Sequence, residues 1–523
     1  MMRVFLLALA MAGAAAAQYT IAGQVVNGVT GEPLARTRLF LRPSGETADP
    51  LVTVADGEGR FRFEGLARGK YGLEAQRLGF VGQMWGQKGL GRAFASAIAV
   101  GPDQETSDIR FPLIPGGVIT GKVTDEAGDA ARQVLVQPIR INQRATGTHA
   151  QRFQGVWTND RGEYRIHSLP AGEWVVAASG RPWYARHLVQ QPVFVTSYHP
   201  GTADAAAAQP IQLSPGQTAR ADIRVATGEM TTVTVDLEPL GLAAPSVYLL
   251  QAGPEGILLP MPASSISTTP KSVRTGALAP GRYVLLVSAD RMGTAARLEF
   301  TANGGEQRYV IESKPAAVRG RAEIHGPRAG VRGELFVLLR DPLSGFNSVG
   351  AIAPDGSFRL PAVAPGRYQL VIGGTGDVHV RELAVEGAMF EKGFVEIAAG
   401  GEVVVKAVLD TVTFPVPGVV TQAGRGVVGA FAVLVPAEAP DSVMRMRMDQ
   451  TDSDGTFLWR NLAPGEYLAF ATLEGEEHDF ADHEVRAKHL EGAVRLKIGP
   501  EMETPVRLNL EDGKKGAAAE RQE

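Results

Sequence analysis

The densest cluster of titratable side chains is His478-Asp479-Phe480-Ala481-Asp482-His483-Glu484, with His489 beyond it. Imidazoles and carboxylates of this kind hold zinc and other divalent ions, and a bound ion can activate water for hydrolysis. The spacings fit neither one face of a helix nor the alternation of a strand, so the stretch reads as a solvated loop. His379-Val380-Arg381-Glu382 also has a ligand spacing, but it sits among alternating apolar residues and reads as a solvent-facing strand edge. Gly424-Arg425-Gly426-Val427-Val428-Gly429 formally matches a dinucleotide fingerprint, yet a strand rather than a helix follows, which makes it a turn. Asp452-Ser453-Asp454-Gly455 resembles a fragment of a calcium loop without the later ligands, and it too reads as a β-turn.

These readings leave no catalytic residue, no cofactor and no metal site to expect. With no Cys in the chain, disulfides, thiolate zinc sites, iron–sulfur ligation and a Cys nucleophile are excluded. What remains are aromatics in the longer segments that follow the regular strands: Trp85, Trp183, Tyr184, Tyr198 and Phe480. On exposed loops such rings stack on sugars or anchor protein interfaces. The alternative for each is that it caps a neighbouring domain.

The elements that carry these loops belong to an internal repeat. Asp56 to Phe63 leads through Leu66 and Gly69 to Tyr71, and Asn159 to Ile166 leads through Leu169 and Gly172 to Trp174. Pro354 to Leu360 leads to Gly366 and Tyr368, and Asp452 to Trp459 leads to Gly465 and Tyr467. In all four the first Gly and the final aromatic are twelve apart (59 to 71, 162 to 174, 356 to 368, 455 to 467). An eroded fifth copy keeps Leu278, Gly281 and Tyr283. The Asp/Asn turn ending in Gly joins two strands, and Phe-Arg-Phe-type triplets alternate as a half-buried strand requires. Ala-Pro-Gly before the aromatic predicts a type II turn, and the Tyr or Trp should anchor the core.

Each unit opens with an alternating strand around Gly23, Gly121, Gly320 or Gly418 and tends to close with a short strand such as Asp108 to Phe111. Seven or so short strands in about 100 residues describe an antiparallel β-sandwich. The 62 Gly and 33 Pro of the 523 residues are then largely turn punctuation. The expected division is an export signal at 1–17, sandwiches at 18–115, 116–226, 227–313 (degenerate), 314–410 and 411–510, and a disordered tail at 511–523. Arg3, the apolar run Val4 to Met11 and the small residues Ala15 to Ala17 carry the signal reading. A formal charge of −4 offers no basic excess for nucleic acid. No later stretch is apolar enough to span a membrane.

The pattern Ile21-x-Gly23-x-Val25, Gly31-Glu32-Pro33-Leu34, Asp56-x-x-Gly59-x-Phe61 and Leu66-x-x-Gly69-x-Tyr71 resembles the carboxypeptidase regulatory-like domain. Units one, two and five match best, the fourth more loosely and the third poorly. Trp85-Gly86-Gln87-Lys88 and Tyr198-His199-Pro200-Gly201-Thr202 resemble segments of tandem secreted bacterial proteins of this type. The resemblance implies a transthyretin-like sandwich, grouped with carbohydrate-binding-like folds, and an accessory rather than catalytic role. The functional expectation is therefore an exported, non-catalytic multidomain β-sandwich protein for binding, adhesion or envelope scaffolding, located in the periplasm, at the cell surface or outside the cell. Polysaccharide binding through the loop aromatics is the alternative, and a metal-dependent hydrolase stands third. Expected partners are polysaccharide or envelope and outer-membrane proteins, not nucleic acid.

Overall fold

The computed structural model describes residues 18–510 apart from 46–47, 89–94, 103, 105, 145–146, 188–192, 204–206, 254–257, 261–265, 277, 289–293, 313, 327–333, 342–346, 375–377, 392, 441–445, 476–479, 481–482 and 503–504. The expected signal (1–17) and tail (511–523) lie outside the described residues, as do His478, Asp479 and Asp482. Among the described residues the chain forms ten sheets, which make several β-sandwiches in tandem. The buried apolar residues separate into successive cores, from the one holding Ile21, Phe63 and Tyr71 to the one holding Val420, Trp459 and Tyr467.

The fourth unit shows the plan. Its opening strand, Ala316–His325, lies between the hairpin strand Ser357–Val363, which runs antiparallel, and the closing strand Glu402–Asp410, which runs parallel. The second sheet is built on the anchor strand Gly366–Gly374, paired with Leu335–Arg340 on one side and Phe394–Ile397 on the other. The same three-strand order recurs around Tyr19–Asn27, Gly117–Thr124, Thr231–Asp236 and Phe414–Gln422. In each sandwich the opening strand thus has a parallel neighbour within an otherwise antiparallel framework, and in the second unit two short strands, Thr218–Arg220 and Ile223–Arg224, share that place. The chain reaches the closing strand only after crossing to the second sheet and back, so it enters from the same end as the opening strand.

The opening glycine is explained by what faces it. Gly23, Gly121, Gly320 and Gly418 pair across the sheet with Phe61, Tyr164, Phe358 and Phe457. A Cβ on Gly320 would overlap the Phe358 ring and the Val405 carbonyl of the parallel strand. Two residues further on, the amides of Val25, Val123, Ala322 and Val420 donate to the carbonyls of Gly59, Gly162, Gly356 and Gly455 at 2.8–2.9 Å. Those turn glycines have φ of 72°, 73°, 86° and 78°, a left-handed conformation that costs other residues energy. The motif therefore records one contact between the opening strand and the hairpin turn.

The second turn departs from expectation. Gly281, Gly366 and Gly465 adopt φ of 153°, 155° and 158°, far from the about +80° of a type II turn. Each begins its anchor strand, and the ring two residues later folds back over it: the Tyr368 ring lies 3.4 Å from where a Gly366 Cβ would sit. That posture carries the aromatic polar atom back to the carbonyl four residues earlier. The pairs are Tyr71 to Ala67 (3.0 Å), Trp174 to Pro170 (3.1 Å), Tyr283 to Ala279 (2.9 Å), Tyr368 to Ala364 (2.9 Å) and Tyr467 to Ala463 (3.1 Å). The unit with the eroded turn motif keeps this bond and the same two-sheet plan.

The units also touch. Gly116 donates to the Gly79 carbonyl at the first junction, and Gln251 donates to the Thr196 hydroxyl at 3.2 Å between the second and third units. Arg297 of the third faces Asp341 of the fourth at 3.7 Å. The first and fifth units meet as well: Gln450 donates to the Gly86 carbonyl at 2.6 Å.

Candidate functional site

Of the five loop aromatics, two stand in solvent. Trp183 and Tyr184 begin the short 3-10 helix Trp183–His187 and are 62% and 50% exposed. Pro182 and Ala185 are buried beneath them, and Ala185 N donates to Pro182 O at 3.0 Å, so a fixed turn projects the two rings. They meet edge to face with centroids 5.8 Å apart, and the Arg132 guanidinium sits 5.8 Å from the Trp183 centroid. Aromatic faces of this kind stack on sugar rings or protein side chains, and an arginine beside them adds a cation.

The other three are placed differently. Tyr198 is buried at the end of the strand Val193–Tyr198, packed with Ile139, Ile141, Val175 and Ala177. Phe480 is 1% exposed and packs edge to face on Phe431 at 5.5 Å. Neither can stack on a ligand. Trp85 is half-buried against the first core, with Nε1 donating to Arg110 O at 3.0 Å. Its neighbours in the Trp-Gly-Gln-Lys segment serve the fifth unit: Lys88 donates to Leu473 O at 2.6 Å and lies over the Phe431 ring. Burial holds the Lys88 ammonium below its usual pKa.

Sequence reasoning missed Trp157, which is 64% exposed on the strand Val156–Trp157. It lies directly across from Leu135. The available signal was its place just before the Asn159 turn, outside the repeat's core positions.

The titratable clusters resolve into structure. The expected solvated loop forms in part the helix His483–Leu490, whose Arg486 is fully buried and donates to the Phe480 and Pro440 carbonyls at 2.6 and 3.3 Å. Those bonds offset the burial of a cation and pin the segment onto the fifth unit. His489 lies flat on Phe470, centroids 4.8 Å apart. Among the described residues no group of three or more His, Asp or Glu is placed to hold a metal. His379, expected at a solvent-facing edge, is 2% exposed. It starts the edge strand His379–Glu386, and a bulge between Val380 and Glu382 separates it from the exposed Glu382. Gly424 is the expected turn: Gln422 pairs with Arg425, and Ala423 and Gly424 both have positive φ. The Asp452 stretch is likewise a turn, with Gly455 N donating to Asp452 O at 2.9 Å.

No curated protein matches the chain. A minor pilin of Streptococcus agalactiae is similar at 13% identity, covering 40% of this chain and 95% of its own, with a TM-score of 0.22. The Bacillus anthracis TIE protein is similar at 11% identity over 75% of this chain and 74% of its own, with a TM-score of 0.16. A full-length pilus protein of Streptococcus pneumoniae gives 9%, 69%, 91% and 0.16. TM-scores this low carry no functional argument. Residues 20–109 match the family model of the carboxypeptidase regulatory-like domain.

Proposed function

We propose that this chain is an exported, non-catalytic binding protein of the bacterial envelope or cell surface, acting in adhesion or scaffolding. The observation that carries the reading is the exposed Trp183–Tyr184 pair on a fixed turn, held by a frame of β-sandwiches whose neighbours are hydrogen-bonded to one another. Polysaccharide is the second reading, favoured by the solvent-facing rings with Arg132 alongside. Affinity electrophoresis through gels containing a panel of acidic and neutral polysaccharides tests both. Retardation by one glycan that is lost in Trp183→Ala assigns the pair to sugar. If every glycan leaves migration unchanged, polysaccharide binding fails. Association with purified cell envelopes that is weakened by Trp183→Ala and Tyr184→Ala then supports a protein partner. Envelope association indifferent to both substitutions overturns the role of this pair.

A further inference from the structure

The fifth unit's hairpin turn is built differently from its counterparts. In the first unit Asp56 Oδ1 accepts the amides of Glu58 and Arg60, at 3.0 and 2.7 Å, and so closes its own turn. Asn159 does the same in the second, accepting from Arg161 and Glu163 at 3.0 and 2.9 Å. Such side-chain caps are a common stabiliser of Asx turns. The fourth unit has Ala353 at that position, and Asp355, two residues later, caps Ser357 N at 2.9 Å instead. The fifth has an aspartate at both positions. Asp454 caps Thr456 N at 3.0 Å, as Asp355 does, so the Asp452 carboxylate is not the cap of its own turn, although its backbone still closes that turn with Gly455 and Thr456.

Asp452 reaches the first unit. Its Oδ1 accepts Ala97 N at 2.7 Å and its Oδ2 accepts from Lys70 Nζ. Ser453 continues the contact: its amide donates to Ala97 O at 2.9 Å and its hydroxyl accepts Ala99 N at 2.8 Å. Ser96, 1% exposed, donates to Thr451 O at 2.8 Å and accepts from Gln450 Nε2 at 3.0 Å. The groups satisfied are those along the free side of the strand Ile98–Val100, whose other side pairs with Gly69–Gln76. An unpaired sheet edge is a template for other chains unless it is covered.

We infer that the Asp452-Ser453 turn is a docking element whose partner is the first unit of the same chain, and that it closes the tandem array head to tail. Covalent linkage joins the units in order, and this contact joins the last to the first. Tethering through the intervening units raises the effective concentration of this contact, so a few well-aligned hydrogen bonds suffice. Closure fixes the relative positions of the loops on all units and keeps the Ile98–Val100 edge from other strands.

Zero-length carbodiimide cross-linking of the intact protein, followed by peptide mapping, reads the contact directly. A Lys70–Asp452 amide within a monomeric band is expected. The same amide found only in dimers or larger species would overturn closure within one chain, and its absence would overturn the contact. Small-angle scattering supplies the second measurement. Asp452→Ala with Ser453→Ala leaves the Asp454 cap in place, so the hairpin remains folded while the maximum dimension rises. For an open string of equal domains against a five-membered ring, the increase is at most about twofold. Asp56→Ala, which removes only a local cap, should leave the dimension unchanged. A maximum dimension identical in the wild type and the double variant sinks the inference.

Discussion

Tyr368 lays its hydroxyl on the carbonyl of Ala364, four residues earlier, at 2.9 Å, with both residues buried. Burial pushes the Tyr368 phenol well above its ordinary pKa, so it remains a donor. The bond ties the end of the hairpin strand to the start of the anchor strand, bridging the two sheets of one sandwich. It also explains why Trp174 can stand where the other units have Tyr. An indole N–H reaches the same carbonyl, Pro170 O, at 3.1 Å.

Removing that donor alone should be measurable. Tyr368→Phe keeps the ring but leaves a buried carbonyl unpaired, at a cost of about 1 kcal/mol. Tyr368→Ala also opens a cavity and should cost about 3–5 kcal/mol, the range for truncating a buried aromatic. In the second unit Trp174→Tyr should be milder than Trp174→Phe, since only the former retains a donor. Hydrogen exchange resolved on residues 316–409 and 117–225 reads each unit by itself. Equal protection in Tyr368→Phe and wild type would show that the bond adds nothing.

The twelve-residue spacing made the hairpin and its anchor legible because turn and donor geometry constrain residue types locally. The parallel pairing of Ala316–His325 with Glu402–Asp410 leaves no such mark, since its partners are joined through the whole unit. The third unit looked degenerate because its turn lost the Gly, yet Leu278 still exchanges backbone hydrogen bonds with Thr231 at 2.8 and 2.9 Å. Loop position revealed where the extra aromatics lie but not which way they face. Tyr198 and Phe480 are covered by packing that no local pattern encodes. The first-to-fifth contact left no such mark, since the first unit's Asp56-Gly57-Glu58-Gly59 also has an acid at both positions and closes its own turn.

Gly320→Ala should be far more damaging than Gly57→Ala. A methyl on Gly320 overlaps the Val405 carbonyl and the Phe358 ring, with the parallel strand unable to retreat. Overpacking of this kind costs about 1–3 kcal/mol or more. Gly57 has ordinary φ and nothing within 4 Å of its would-be Cβ. Its replacement should be neutral or stabilise by about 0.4–1 kcal/mol, through a stiffer unfolded chain. Thermal unfolding of the two variants side by side decides it, and comparable losses would contradict the close-approach explanation.

The five tryptophans should divide by accessibility. Trp174 and Trp459 are 0% and 1% exposed, with their indole N–H groups bonded at 3.1 and 2.9 Å to backbone carbonyls. Trp157 and Trp183 stand in solvent. Iodide should therefore quench a red-shifted fraction of the emission and leave a blue-shifted fraction untouched. Trp157→Phe with Trp183→Phe should remove most of the quenchable part. If that part survives the double substitution, the surface placement of these rings is wrong.

His489 makes the end of the fifth unit sensitive to acid. Its imidazole is held below the usual histidine pKa, first by burial and further by Lys488, with Glu474 opposing. The unfolded chain therefore takes up this proton at higher pH than the folded one, starting near the ordinary value of about 6.5. Above that pH the stability contribution is fully present, and it is lost as pH falls through the lower folded value. Half-buried Asp449 shifts the opposite way, its carboxyl held above the ordinary value first by the loss of solvent around it. Its contribution is present at low pH and falls as pH rises through the carboxylate range, so the two have opposite slopes. Hydrogen exchange of the helix His483–Leu490 should speed up from pH 7.5 to 5.5, after correction for intrinsic rates. His489→Gln cannot take up that proton and should be flat over the same interval. An equal slope in the variant would place the acid sensitivity on another group.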